Sequence, residues 1–407
     1  MAIALAVKDA LSSSSMIRKM FEEGNELKKQ YGSDKVFDFS LGNPDLEPPA
    51  AFKDVFFRFA EEDAAGRARG KHGYMPNAGY PDVREALAKK VSSDHQCAVP
   101  PSNVIMTAGA AGGLNVVFKS ILNPGDEVIV PQPFFVEYRA YIKNHGGKLI
   151  EAPTAAGFSL DTKAIAELLS PRTAAVLINS PNNPTGKVYS WQELASLASI
   201  LRLHGEKTGR FPYLLADEPY REIIYDGITV PPVLPVYEES IIVTSYSKSL
   251  SLPGERIGYI AVGPDAGGRE DLINALIYAN RVLGFVNAPA LMQRIVAELA
   301  DEKVDVGIYE RRRKAFKKVL DNAGLAYAEP EGAFYFFVKV PERKTGGASI
   351  ADDNAFSECL KKHLVLGVPG SGFAGPGWMR FAYCVDEKVI EASSAAFKDA
   401  VEEWQGL

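Results

Sequence analysis

Ser245-Tyr246-Ser247-Lys248-Ser249-Leu250 runs on to Gly254-Glu255-Arg256 and follows directly on the apolar run Ile241-Ile242-Val243. Three consecutive branched aliphatic residues read as a short buried strand, which puts Lys248 just past a strand's carboxyl end, where open α/β sheets bind their ligands. The hydroxyls of Ser245, Ser247 and Ser249 surround it in sequence. Burial and the second cation, Arg256, would both favour the neutral amine, and a neutral lysine amine is a nucleophile able to form a Schiff base. Taken alone, the stretch reads more readily as a polar loop with Lys248 and Arg256 in water.

Two stretches upstream change that balance. Tyr213-Leu214-Leu215-Ala216 is another short apolar strand and ends in Asp217-Glu218-Pro219-Tyr220; Ala175-Val176-Leu177-Ile178 ends in Asn179-Ser180-Pro181-Asn182-Asn183-Pro184-Thr185-Gly186. Three strands in succession thus deliver an amide, then a carboxylate and a phenol, then an amine. Further strands are expected at 104–106, 127–130, 148–152 and 257–262. Helical stretches alternate with them, which predicts an α/β fold with a mostly parallel sheet covered by helices on both faces.

The set formed by NNPTG at Asn182 to Gly186, DEPY at Asp217 to Tyr220, SYSK at Ser245 to Lys248, and Arg256 eight positions on resembles the class I/II aminotransferases among the fold-type-I pyridoxal-phosphate (PLP) enzymes. The likeness runs from Gly42 to Arg380. It implies a three-layer αβα large domain with a seven-stranded sheet whose strand at 257–262 is antiparallel, plus a smaller α+β domain. The expected division is 1–50 for an N-terminal arm and part of the small domain, 51–290 for the large PLP-binding domain, and 291–407 for the C-terminal small domain.

The same resemblance assigns roles. Lys248 would hold PLP as an imine, take the substrate Cα proton and return it to the cofactor. Asp217 would keep the ring nitrogen protonated, and Tyr220 and Asn183 would hydrogen-bond the ring oxygen. Ser245, Arg256 and the backbone of Gly109, Ala110 and Ala111 would hold the phosphate. For those three residues the sequence gives an independent reason: the small-residue loop Thr107 to Gly113 enters a helix through Asn115 to Ile121, and free N–H groups at a helix start attract an anion. It is equally a tight helix start. Phe135, after the strand at 127–130, matches the ring that stacks on the pyridine. Arg380, in a strand at Trp378 to Val385, would bind the substrate carboxylate bidentately with help from Asn183 and Gly42; by local sequence Gly42 is a turn glycine.

Tyr74, otherwise a loop aromatic, matches a tyrosine that reaches the cofactor phosphate of the neighbouring subunit, which implies a homodimer with shared active sites. Arg281 stands about where dicarboxylate-specific relatives place an arginine for the substrate side chain, and a helix-surface arginine is the other reading. A helix is expected from Ile17 to Tyr31 and another at 81–91. Beyond Asp271 long helical stretches are expected, then strands at 334–340 and 378–385 joined through a mobile, glycine-rich loop at Gly367 to Phe373. Ser12 to Ser15 reads as a loop or helix cap.

Composition limits the alternatives. A chain of 407 residues, 46% hydrophobic, is too long for one simple core and suits two domains. A net charge of -6 leaves no basic footprint for nucleic acid. The three cysteines are far apart and fit a reducing cytoplasm, and the five histidines lack ligand spacing, so no metal is expected. The apolar start Met1 to Val7 is broken by Lys8 and Asp9, so neither a signal peptide nor a membrane span is expected. The function read from this set is PLP-dependent amino transfer from an L-amino acid, aspartate-like by preference, to a 2-oxo acid such as 2-oxoglutarate. A PLP lyase or decarboxylase on the same fold, or a sensor that binds without turnover, are the alternatives.

Overall fold

The computed structural model describes residues 3–4, 7–8, 16–67, 70–343 and 352–406; the Ser12 to Ser15 run lies outside them. Helix α1 (Met16–Tyr31) leads to β1 (Phe37–Asp38), α2 (Ala50–Ala64) and α3 (Pro81–His95). Strands and helices then alternate: β2 (Val104–Thr107), α4 (Gly109–Ile121), β3 (Glu127–Pro131), α5 (Glu137–Asn144), β4 (Lys148–Ala152), α6 (Thr162–Leu168), β5 (Thr173–Asn179) and α7 (Trp191–Thr208). β6 (Tyr213–Asp217) and β7 (Ser240–Ser245) follow, then the single turn α8 (Tyr246–Ser249) and β8 (Gly258–Val262). The chain continues through α9 (Arg269–Val282), α10 (Ala290–Glu298) and α11 (Val306–Asn322) to β9 (Tyr327–Ala328), β10 (Tyr335–Lys339), α12 (Asp353–Lys362), β11 (Val365–Leu366), β12 (Val368–Pro369), β13 (Trp378–Ala382), α13 (Glu387–Ala392) and α14 (Ser394–Gln405).

The large sheet has seven strands in the order β2-β8-β7-β6-β5-β3-β4. Only β8 runs against its neighbours, pairing antiparallel with β2 and β7, as a strand joined to β7 by so short a link must. Alternation across the pleat divides its side chains between two cores. Met106, Val176, Ile178, Leu214, Ala216 and Ile242 pack on one face. Ile105, Ala175, Leu177, Leu215, Ile241 and Val243 pack on the other. Both faces are covered, which is why these strands read as unbroken apolar runs.

Local signals fix several helix ends. The side chain of Ser190 accepts from Glu193 N while the Glu193 carboxylate accepts from Ser190 N, a capping box that starts α7, and Gly209 closes it at φ +75°. α4 starts at Gly109, earlier than the expected Asn115, because Ala110 and Ala111 are strong helix formers and Gly113 faces the sheet. A Cβ on Gly113 would stand 2.7 Å from Val243 Cγ1, so the glycine there serves close packing. The segment expected as a mobile loop, Gly367 to Phe373, is folded: Val368 and Pro369 pair with Arg380 and Met379, and Phe373 is buried. A Cβ on Gly367 would press into the ring of Phe381, so here too glycine answers to packing.

The second core is built from β9, β10, β13 and the helices around them, with rings of Phe39, Phe316, Phe336, Phe381 and Phe397 at its centre. Core membership changes between Leu299, which packs with the large sheet, and Val304, which packs with the second core. α10 therefore packs on the large-sheet side, beyond the division expected at 290/291. Phe316 contacts four other rings in the second core. Phe316→Ala is expected to lower the unfolding free energy by about 3–5 kcal/mol, the usual loss for an emptied phenylalanine site, as read by urea denaturation.

Candidate active site

Parallel pairing brings the carboxyl ends of β5, β6 and β7 to one edge, with Asn179 beside Asp217 in register. A cleft of about 260 Å³ opens there. Its walls include Gly42, Ala110, Ala111, Phe135, Asn183, Asp217, Tyr220, Ser245, Lys248, Arg256 and Arg380, residues spread over more than three hundred positions of sequence. Gly109 adjoins it. Tyr74 and Arg281 do not line it: Tyr74 is 97% exposed on the single chain, and Arg281 sits at the end of α9 with its guanidinium over the Tyr278 ring.

Lys248 enters the cleft from α8. Its Nζ donates to Gly42 O at 2.8 Å and stands 5.3 Å from the centre of the Phe334 ring. The neighbouring hydroxyls do not serve the amine as the sequence suggested; Ser245 Oγ donates to Ser247 Oγ instead. Burial lowers the lysine pKa to about 8, with the charges of Arg380 and Arg256 adding to the effect and Cys384 opposing it.

Asp217 is the last residue of β6 and is buried. Its Oδ2 accepts from Tyr138 Oη at 2.5 Å, and its backbone O accepts from Asn179 Nδ2 at 2.8 Å. Oδ1 meets no hydrogen-bond partner among the described residues. Burial raises the pKa to about 7; the Tyr138 hydrogen bond opposes this and Glu218 reinforces it. Glu218, one residue on, points to the opposite face, as alternation requires. There it lies 3.2 Å from Arg221 and 3.4 Å from His95, and these partners outweigh burial and keep its pKa below the ordinary value.

Arg380 is almost fully buried. Its Nη1 donates to Asn183 Oδ1 at 3.2 Å and its Nη2 to Ser40 O at 2.6 Å, and the guanidinium lies over the rings of Tyr335 and Phe373 at 4.7 and 4.6 Å. Nε has no partner among the described residues. Tyr220 Oη lies 2.8 Å from Tyr335 Oη. Gly42 passes so near that any Cβ there would run into the Tyr335 hydroxyl, so the turn glycine of the sequence is a close-approach glycine.

At the other end of the cleft, α4 begins without a side-chain cap, leaving its first N–H groups free. Gly109 adopts φ +71°, and a Cβ there would lie 2.9 Å from Arg256 Nη2. A guanidinium, an uncapped helix start and the Ser245 hydroxyl thus converge, a suitable seat for a phosphate.

Tyr138, Tyr335 and Asn179 are absent from the sequence-derived role set. Tyr138 could have been found three positions after Phe135, in the first turn of the helix that follows β3. Tyr335, inside the apolar run Phe334 to Val340, carries no local signal.

The donor set fits pyridoxal phosphate. A protonated ring nitrogen is the partner that the bare Oδ1 of buried Asp217 calls for, the low-pKa amine suits an aldehyde, and the phosphate seat lines the same cleft. Residues 34–396 match the family described as Aminotransferase class I and II. The chain is 33% identical over 377 residues to the probable aspartate/prephenate aminotransferase of Aquifex aeolicus, covering 90% of this chain and 91% of that one. It is 29% identical over 396 residues to the aspartate aminotransferase of Pyrococcus horikoshii, covering 95% of each. Among solved structures, an amino transferase from Eubacterium rectale superposes with a TM-score of 0.93 at 36% identity, covering 99% of both chains. Fold, cleft and sequence together place this chain in the class I and II aminotransferases, PLP-dependent transaminases of fold type I.

Proposed function

We propose that this enzyme moves the amino group of an aspartate-type L-amino acid to a 2-oxo acid such as 2-oxoglutarate, as a cytoplasmic homodimer. The observation that carries the chemistry is the bare Oδ1 of Asp217 sharing one cleft with the amine of Lys248. Bound PLP supplies an electron sink for the substrate's Cα carbanion. Asp217 holds the proton on the ring nitrogen, and Tyr220 hydrogen-bonds the ring oxygen. Ser245, Arg256 and the start of α4 hold the phosphate, while Phe135 stacks on the ring. Arg380 and Asn183 fix the α-carboxylate, which turns the Cα–H bond toward Lys248. Lys248, neutral in part near pH 8, moves the Cα proton. The exposed rings of Tyr74, Phe57 and Tyr278 support a partner subunit that covers them.

The aspartate preference rests on the relatives named for it. A specific observation favours a second reading, an apolar or aromatic donor. Among the described residues, the cations lining the cleft are Lys248, Arg256 and Arg380, each already committed, while Leu41, Leu114 and Phe135 line the rest. Against 2-oxoglutarate, kcat/KM for aspartate is expected to exceed that for leucine and phenylalanine at least about tenfold, about 1.4 kcal/mol of discrimination. The reverse order would overturn the aspartate reading and favour the second.

Lys248→Ala is expected to lower kcat by roughly ten-thousand-fold. The variant should also release its PLP on gel filtration and show no mass increase after borohydride reduction; a retained, reducible adduct would place the covalent link elsewhere. In PLP-stripped protein, the folded Asp217 pKa of about 7 stands above the unfolded value of 3.8. Its protonation therefore stabilises the fold fully below about pH 4, and that contribution is lost as pH rises through about 7. Relative to Asp217→Asn, wild-type stability should fall by up to roughly 4 kcal/mol between these limits, read by denaturation at a series of pH values.

A further inference from the structure

Tyr335 belongs to none of the sequence motifs, yet three parts of the site meet on it. Its hydroxyl lies 2.8 Å from that of Tyr220, both side chains being buried. Each phenol has one hydrogen to give. If Tyr220 gives its hydrogen to Tyr335, none remains for the ring oxygen of the cofactor. If Tyr335 gives its own to Tyr220, the Tyr220 hydrogen is free, and the chain of two bonds makes it a stronger donor. The guanidinium of Arg380 lies over the Tyr335 ring at 4.7 Å and over the Phe373 ring at 4.6 Å. Nη1 and Nη2 are tied to Asn183 and Ser40, both rings confine the guanidinium, and Nε stays without a partner among the described residues. The hydroxyl edge of the same ring sets how near Gly42 can pass.

We propose that Tyr335 is a positioning residue that ties the cofactor end of the site to the carboxylate end. Its hydroxyl commits the Tyr220 hydrogen to the ring oxygen of PLP, and its ring holds Arg380 in the plane that receives the substrate α-carboxylate. This rests on the roles proposed above for Tyr220 and Arg380.

The two halves separate in two variants of the PLP-loaded enzyme. Tyr335→Phe keeps the ring and removes the hydroxyl. A weakened donor at the ring oxygen destabilises its negative charge, so the lysine-linked chromophore should keep its proton to higher pH. The midpoint of the visible colour change is expected to rise by about 0.5–1 pH unit, the size of one buried hydrogen bond, with KM for the amino donor within about twofold of wild type. Tyr335→Leu removes the ring as well and should raise KM about tenfold further, the scale of a desolvated cation–π contact. Tyr335→Met takes its place if the leucine variant does not fold, as judged by thermal melting.

Tyr220→Phe is the reference and should shift the midpoint more than Tyr335→Phe. A shift in Tyr220→Phe with none in Tyr335→Phe overturns the hydroxyl role and leaves the reading of Tyr220 standing. No shift in either removes the assignment of Tyr220 and the proposal with it. A KM for the ring-deleted variant equal to that of Tyr335→Phe overturns the role of the ring.

Discussion

A carboxylate buried with one oxygen bare is the constraint on which the rest of this site turns. Taking an ionised carboxylate out of water costs several kcal/mol unless a cation or donors replace the solvent. Asp217 has one donor, Tyr138, on Oδ2 and none on Oδ1 among the described residues, so in the protein alone it reduces the cost by holding its proton up to about pH 7. A cationic N–H at Oδ1 removes that cost by pairing the charge. Lys248 is the complementary case: its desolvated amine, with a pKa near 8, loses its proton at modest alkaline pH. The two groups are shifted in opposite directions by the same dry environment, and each suits one end of the same aromatic cofactor.

Strand register holds this arrangement in place. Leu215 faces one core and Leu214 and Ala216 the other, so Asp217 follows Leu215 to the cleft and Glu218 turns away to Arg221 and His95. A slip of one residue in β6 would exchange the two carboxylates and expose the entire apolar set to the wrong face. The cores therefore act on chemistry as well as stability. What keeps a salt-bridged glutamate out of the cleft is the burial of aliphatic side chains on both sides of one strand.

Much of this was legible in sequence because each strand is an apolar run that ends in a polar group, and a parallel sheet gathers those ends. Asn183, Asp217, Tyr220, Ser245, Lys248 and Arg256 all reach the cleft for that reason. The start of α4 was not legible: Gly109-Ala110-Ala111-Gly112-Gly113 carries no hydrophobic periodicity, and while Gly113 answers to contact with the sheet, Gly112 lies against Ala108 and the Phe285 ring. Tyr335 was hidden for another reason. It lies in a strand of the second core, where a tyrosine among phenylalanines looks like filler, and its hydroxyl gains meaning only when the second core closes on the large sheet. Tyr74 and Arg281 matched by position in the sequence, and in the single chain each lies away from the cleft.

Two buried arginines show how the fold separates structure from function. Arg312 is held by both oxygens of Asp45 at 2.6 and 2.8 Å, so its charge is neutralised, and what it contributes is the anchoring of the segment that carries Gly42 across the cleft. Arg380 is buried as deeply, and among the described residues it hydrogen-bonds only neutral groups, an amide oxygen and a backbone carbonyl, and lies over two aromatic rings. Burial pulls its pKa down, and the nearby phenols, Cys384 and Glu137 act against that fall. Neutral dipoles and ring faces solvate a guanidinium without cancelling its charge. A carboxylate partner would have made Arg380 a second strut. Left without one, it keeps a positive charge in a dry cleft, which is what the proposed role requires: there the attraction for a carboxylate is least screened, and a planar fork would give that carboxylate a single orientation.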